Sequence, residues 1–124
     1  MSKILESGEM YLENILVLRE TLEYVRAIDI VNYTGYSKPS ISRAMGLLKE
    51  DGMIEVDTLG HITLTPKGEA RAQYVYLRHK TLTAFFCSIG IDEETASADA
   101  CKIEHVISDL SFSCIKDFLD RSNL

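Results

Sequence analysis

The chain has 124 residues, 46% of them hydrophobic and 26% charged, with a formal net charge of −6. This is the composition of an ordinary folded protein rather than a disordered one, and no apolar run approaches the roughly 20 residues that a membrane-crossing helix needs. The length suits one compact unit or two small interdependent ones, and the opening MSKILESGEM has neither the apolar stretch nor the cleavage site of a secretory signal.

Ser7 to about Glu23 reads as the first helix. Tyr11, Ile15, Leu18 and Leu22 recur there at spacings of four, three and four and form one apolar stripe. Arg26 to Tyr33 reads as a short second helix with Ile28 and Val31 facing inward, and Gly35 follows as a turn residue. Pro39 suits the first position of a third helix, with Ser37 or Lys38 at its cap and Ile41, Ala44, Met45 and Leu48 on its buried face. That helix stops at Asp51-Gly52. Met53–Asp57 and His61–Leu64 alternate like short strands, joined by Thr58-Leu59-Gly60 as a hairpin loop. Thr65-Pro66 caps a long helix that runs to about Ile89 and is ended by Gly90. Asp92 caps a further helix to about Val106, and Ser108 to Leu119 reads as the last. The fold class is therefore mostly α with a small β-hairpin. A winged helix-turn-helix over 1–72 is followed by a helical domain over 73–124.

Helix, glycine turn, capped helix and hairpin is the order of a winged DNA-binding domain, in which the N-terminal end of the second helix reaches base edges in the major groove. Here that end offers Ser37, Lys38, Pro39, Ser40, Ser42 and Arg43. The hydroxyls and Lys38 suit phosphates, Pro39 a thymine methyl, and Arg43 a bidentate contact with guanine. The ordinary reading is a capped, solvated helix, but Glu50 and Asp51 lie at the opposite end from these groups. The wing is poorer, because Glu55 and Asp57 repel DNA and leave His61 and the backbone near Gly60; Lys67 and Arg71 are further phosphate candidates. Charge is also uneven along the chain. Residues 1–25 carry two Lys/Arg against five Asp/Glu, residues 26–72 six against six, and residues 73–124 five against eight. The acidic excess lies outside the DNA-reading segment, so DNA affinity should be weak until a bound cation offsets it.

Cys101, Glu104 and His105 stand at i, i+3 and i+4, one face of a helix. Thiolate, carboxylate and imidazole together make a transition-metal ligand set. Met10 and Glu13 share a face of the first helix, and His79 lies in the middle of the long one. Each has a plain structural reading as well: Met10 as core, His79 as a hydrogen-bonded histidine, Cys101 as an inert thiol. The set suits Fe²⁺ and tolerates Co²⁺, Ni²⁺ and Zn²⁺, while the sulfurs disfavour Mg²⁺ and Ca²⁺. Cys87 and Cys114 have no such company and read as core packing. Three cysteines without a signal sequence indicate free thiols in a reducing, cytoplasmic compartment.

Five stretches in order carry a resemblance. They are Glu9-Met10-Tyr11-Leu12-Glu13, Ser37-Lys38-Pro39-Ser40-Ile41-Ser42, Leu64-Thr65-Pro66-Lys67-Gly68, Arg78-His79, and Cys101 through Asp109. From about residue 7 to 119 the chain resembles the metal-dependent repressors typified by the diphtheria toxin repressor and the manganese transport regulator. The resemblance implies a non-enzymatic, homodimeric repressor that binds palindromic double-stranded operator DNA when loaded with metal. It implies Met10, Cys101, Glu104 and His105 as the iron-type regulatory site, and Glu13 and His79 as positions the manganese branch uses for a second ion. The iron branch's ancillary site is interrupted by Thr83 and Ser97, and the SH3-like third domain of longer members has no counterpart. Fe²⁺ is the expected metal, with Mn²⁺ the other candidate. The alternative is a winged-helix regulator not gated by metal, responding to redox at Cys101 or to another ligand. An enzyme is disfavoured, since no general base is left beside the ligands and no glycine loop could cradle phosphate.

Overall fold

The computed structural model describes residues 6–122; the first five residues of the opening MSKILESGEM, in which no secretory signal is read, lie outside them. Among the described residues there are six helices and one two-stranded antiparallel sheet: α1 (Glu6–Leu18), α2 (Ala27–Thr34), α3 (Lys38–Glu50), β1 (Ile54–Val56), β2 (Ile62–Leu64), α4 (Pro66–Ser88), α5 (Glu93–Ile103) and α6 (Asp109–Ser122). They form two compact units, one ending at Gln73 and the other beginning at Tyr74, so that the division falls within α4. No described helix is long and apolar enough to cross a membrane.

In the first unit α1 packs against α2, α3 and β2. Its core is built from Leu12, Ile15 and Leu16 of α1, Ile30 of α2, Ile41, Met45 and Leu48 of α3, and Ile54 and Ile62 of the hairpin. The inward residue of α2 is Ile30, fully buried, and not the expected Ile28, which is 43% exposed. A helix of eight residues has too few turns for periodicity to choose its face, and packing against α3 decides it. α1 also ends five residues before the expected Glu23. After Leu18 the amides of Glu20 and Thr21 bond three residues back, to Val17 and Leu18, tightening the last turn until it closes.

Ser37 is the N-cap of α3, accepting from the Ser40 amide, so Lys38 holds the first helical position and Pro39 the second. The strands pair Ile54 with Leu64, Glu55 with Thr63 and Val56 with Ile62. The Ile62 amide also donates to the Val25 carbonyl, laying residues 24–26 beside β2. Thr65 begins α4 by accepting from the Gly68 amide while its hydroxyl donates to the Gly52 carbonyl.

In the second unit Val75 and Leu82 of α4, Ala96 and Ala100 of α5 and Phe112 of α6 are buried. Asp92 caps α5 by accepting from the Thr95 amide, which holds its carboxyl below the usual range. α5 stops at Ile103, short of the expected Val106. The Glu104 carbonyl, which a continuing helix would offer to the amide of residue 108, instead accepts from Arg78 Nη1 at 2.9 Å. Cys87 and Cys114, expected in the core, are exposed in the single chain.

Candidate metal centre and nucleic-acid interface

The start of α3 presents one polar surface. Ser37, Lys38, Pro39, Ser40, Ser42 and Arg43 are all exposed, while Ile41, Met45 and Leu48 hold the opposite face of the helix in the core. The Ser37 hydroxyl also donates to the Ser40 hydroxyl at 2.9 Å. Ser37 is thus committed to the cap, and a phosphate would meet a helix start whose geometry is already set. Two other expected contacts are occupied differently. Arg71 pairs with the buried carboxylate of Glu9, Nε at 2.7 Å and Nη2 at 2.6 Å, and Lys67 donates to the Asp51 carbonyl at 3.2 Å. Arg71 therefore balances the Glu9 charge while its own side chain stays 43% exposed.

The wing's His61 is not a free surface group either. Its side chain is only 11% exposed, stacks on Tyr24 with ring centroids 4.1 Å apart, and sits between Asp57 and Arg26.

In the second unit the ligand candidates converge on Glu104. This carboxylate is fully buried, and its Oε2 lies 2.9 Å from His79 Nδ1. Its Oε1 lies 3.3 Å from His105 Nε2, yet among the described residues it accepts no hydrogen bond. The Ser97 hydroxyl stands 3.3 Å from His79 Nε2. Two imidazoles around one desolvated carboxylate with an unsatisfied oxygen is a donor set that a divalent transition metal fits, because a buried carboxylate oxygen that accepts no hydrogen bond is costly and coordination removes the cost. Cys101 is exposed on the last turn of α5, a turn ahead of Glu104. Met10 and Glu13 lie in the first unit on α1, half-buried and one turn apart. α5 ends at Ile103, so Cys101 lies on its last turn, Glu104 is its C-cap with helical backbone angles and an amide bonded to the Ala100 carbonyl, and His105 follows in the turn.

That turn is held by a residue whose part the motif did not reveal. Arg78 is buried; its Nη1 donates to the carbonyls of Glu104 at 2.9 Å and Ile107 at 3.0 Å, and its Nη2 pairs with Asp109 at 2.5 Å. Its guanidinium lies over the Tyr74 ring, 4.7 Å from the centroid. Arg78 thereby fixes the backbone from which Glu104 and His105 project. Arg78-His79 was visible as a pair in the sequence, but backbone carbonyls as partners leave no trace in residue identity.

Residues 65–123 match the family described as iron dependent repressor, metal binding and dimerisation domain. An HTH-type transcriptional regulator of Methanocaldococcus jannaschii is 30% identical over 118 residues, 94% of this chain and 94% of the relative. The HTH-type transcriptional regulator MntR of Lysinibacillus sphaericus is 33% identical over 113 residues, 91% of this chain and 81% of the relative. Among solved structures, a manganese-dependent transcriptional repressor in complex with manganese is similar with a TM-score of 0.84 at 25% identity. That match covers 91% of this chain and 52% of the other, so this chain spans about half that repressor's length.

Proposed function

Because the chain belongs to the family of metal-dependent transcriptional repressors typified by the diphtheria toxin repressor and the manganese transport regulator, we propose that it is an operator-binding repressor whose DNA affinity is raised by Fe²⁺. The observation that carries the metal half of this reading is Glu104, buried between His79 and His105 with one oxygen that accepts no hydrogen bond among the described residues. The DNA half rests on the exposed α3 start of a winged helix-turn-helix.

The proposed ligands are Cys101, Glu104, His105 and His79 from the second unit, with Met10 and Glu13 contributed by α1. A bound divalent cation supplies positive charge where Glu104, Glu13 and an ionised Cys101 would bring negative charge. The chain's own residues do the rest. Arg78 fixes the turn that presents Glu104 and His105, Ser37 fixes the start of the recognition helix, and Arg43 reads a base. The active form is a homodimer, since a two-fold operator requires two recognition helices one or more whole turns apart. Linkage then requires DNA to tighten metal binding by the same factor as metal tightens DNA binding, a coupling of about 1–3 kcal/mol.

The choice of Fe²⁺ over Mn²⁺ follows from ligand softness. Met10 and Cys101 offer thioether and thiolate, and Mn²⁺ stands lowest in the general affinity order. Mn²⁺ retains a harder route through Glu13, His79 and Glu104, and Co²⁺, Ni²⁺ or Zn²⁺ should substitute in vitro. The test is an anaerobic operator-binding titration with buffered free metal on wild type and on a Met10→Asp, Cys101→Glu double variant. We expect activation by Fe²⁺ at a lower free concentration than Mn²⁺, with the double variant shifted toward Mn²⁺. Equal midpoints in the wild type would overturn the metal preference, and full-strength binding without metal would overturn gating itself.

A further inference from the structure

We propose that His61 is a positioning residue for operator binding, holding Arg26 as a DNA phosphate contact at the start of α2. The inference rests on the DNA-binding reading above but assigns residues outside the α3 surface. Arg26 precedes α2 as its N-cap residue, and its side chain is exposed. Its backbone is fixed on both sides. Its amide donates to Asp29 Oδ2 at 2.8 Å, and the preceding carbonyl, that of Val25, accepts from the Ile62 amide at 2.7 Å. That second bond sets residue 26 beside residue 61, and the two side chains meet with Arg26 Nη2 3.0 Å from His61 Nε2.

The proton positions follow from chemistry. A guanidinium can only donate, so His61 Nε2 must be the acceptor, and the ring proton must reside on Nδ1. There Asp57 Oδ2 stands 3.1 Å away to receive it. Asp57 is suited to that part, since hydrogen bonds from the His61 and Leu59 amides hold its carboxyl below the usual range. Stacking on Tyr24, with only 7° between the rings, fixes the plane in which both ring nitrogens point. A long cationic side chain that would otherwise sample many rotamers is thereby held in one, by an acceptor that carries no charge and so leaves the guanidinium's positive field open to a phosphate. Elsewhere in this unit, Arg19 and Arg71 are paired with the carboxylates Glu69 and Glu9, which spend that field.

Two measurements test this. In the free protein near pH 7.5, long-range ¹H–¹⁵N NMR should show His61 as the neutral Nδ1–H tautomer; an Nε2–H tautomer overturns the proposal without touching the DNA reading. The second uses a duplex selected by metal-loaded wild type from a random pool, with affinity measured against salt. Each phosphate contact contributes about 0.9 to the slope of log K against log salt. Arg26→Ala should lower the slope by about that amount. His61→Phe, which keeps the stack on Tyr24 and deletes the acceptor, should lower it by most of that amount, and the double variant should lose no more than Arg26→Ala alone. An unchanged slope in His61→Phe, or losses that add in the double variant, overturns the assignment. Failure of wild type to bind any duplex overturns the DNA reading and this inference together.

Discussion

Gly68 shows how one atom can matter at the first turn of α4. It is buried, and a Cβ built there would fall inside the van der Waals envelope of the Met53 carbonyl oxygen. That oxygen cannot retreat cheaply, because it already accepts from the Thr65 amide at 3.0 Å. Gly68→Ala should therefore destabilise the first unit by at least about 2 kcal/mol, read as a lower denaturant midpoint at unchanged slope. Arg43 tests the opposite kind of residue, one with little to do in the fold. It is exposed two positions after the buried Ile41, and arginine makes the commonest specific contact with guanine. Arg43→Ala should relax preference at one operator position at a cost of about 1–3 kcal/mol. Equal weakening on every sequence would make it a phosphate contact only.

Between elements, the pair Arg19–Glu69 ties the turn after α1 to the first turn of α4, with a bidentate contact at 2.5 and 2.6 Å. The Arg19 hydrogen bonds, with a further one from Gln73, lower the Glu69 pKa to about 2. A carboxylate depressed in the folded state contributes stability that is complete above its ordinary value of 4.5 and is lost as pH falls from there toward about 2. Both side chains are more than a third exposed, so solvent screening keeps the contribution within about 1 kcal/mol. Glu69→Gln should lower stability by up to about 1 kcal/mol at pH 7 and flatten that part of the stability–pH profile between pH 5 and 2.5, so that variant and wild type converge at low pH. A profile that keeps the wild-type shape would show that the pair does not stabilise this junction.

At the level of the molecule, the second unit leaves apolar surface uncovered. Val106 is 61% exposed, Leu110 75%, Ile89 59% and Phe118 51%, while Phe112 alone of α6 is buried. A segment this short cannot bury so many apolar groups by itself, and a two-fold contact between copies would cover them. Sedimentation at micromolar concentration should find a dimer, and Leu110→Glu with Phe118→Glu should shift it toward monomer. A monomeric wild type, with and without metal, would sink this expectation.

The sequence by itself determined the order and type of every element, a cap at Ser37 or Lys38 before the third helix and the proline start of α4. Each of these is a local property: spacing, a hydroxyl before a helix, a ring that fixes φ. The tertiary structure alone decided which face of α2 turned inward, where α1 and α5 stopped, and what Arg71, Arg78 and His61 do. Ile30 displaced Ile28 from the core because α3 chose the face. Arg78 donates to the Glu104 carbonyl from 26 residues away, where α5 gives way to the turn that carries His105, and no spacing along the chain announces that contact. Arg71 is paired because Glu9, 62 residues earlier, is buried beside it. Periodicity and capping act over a few residues and can be read along the chain; a charge, a carbonyl or a ring supplied from a distant segment acts only once the chain has folded.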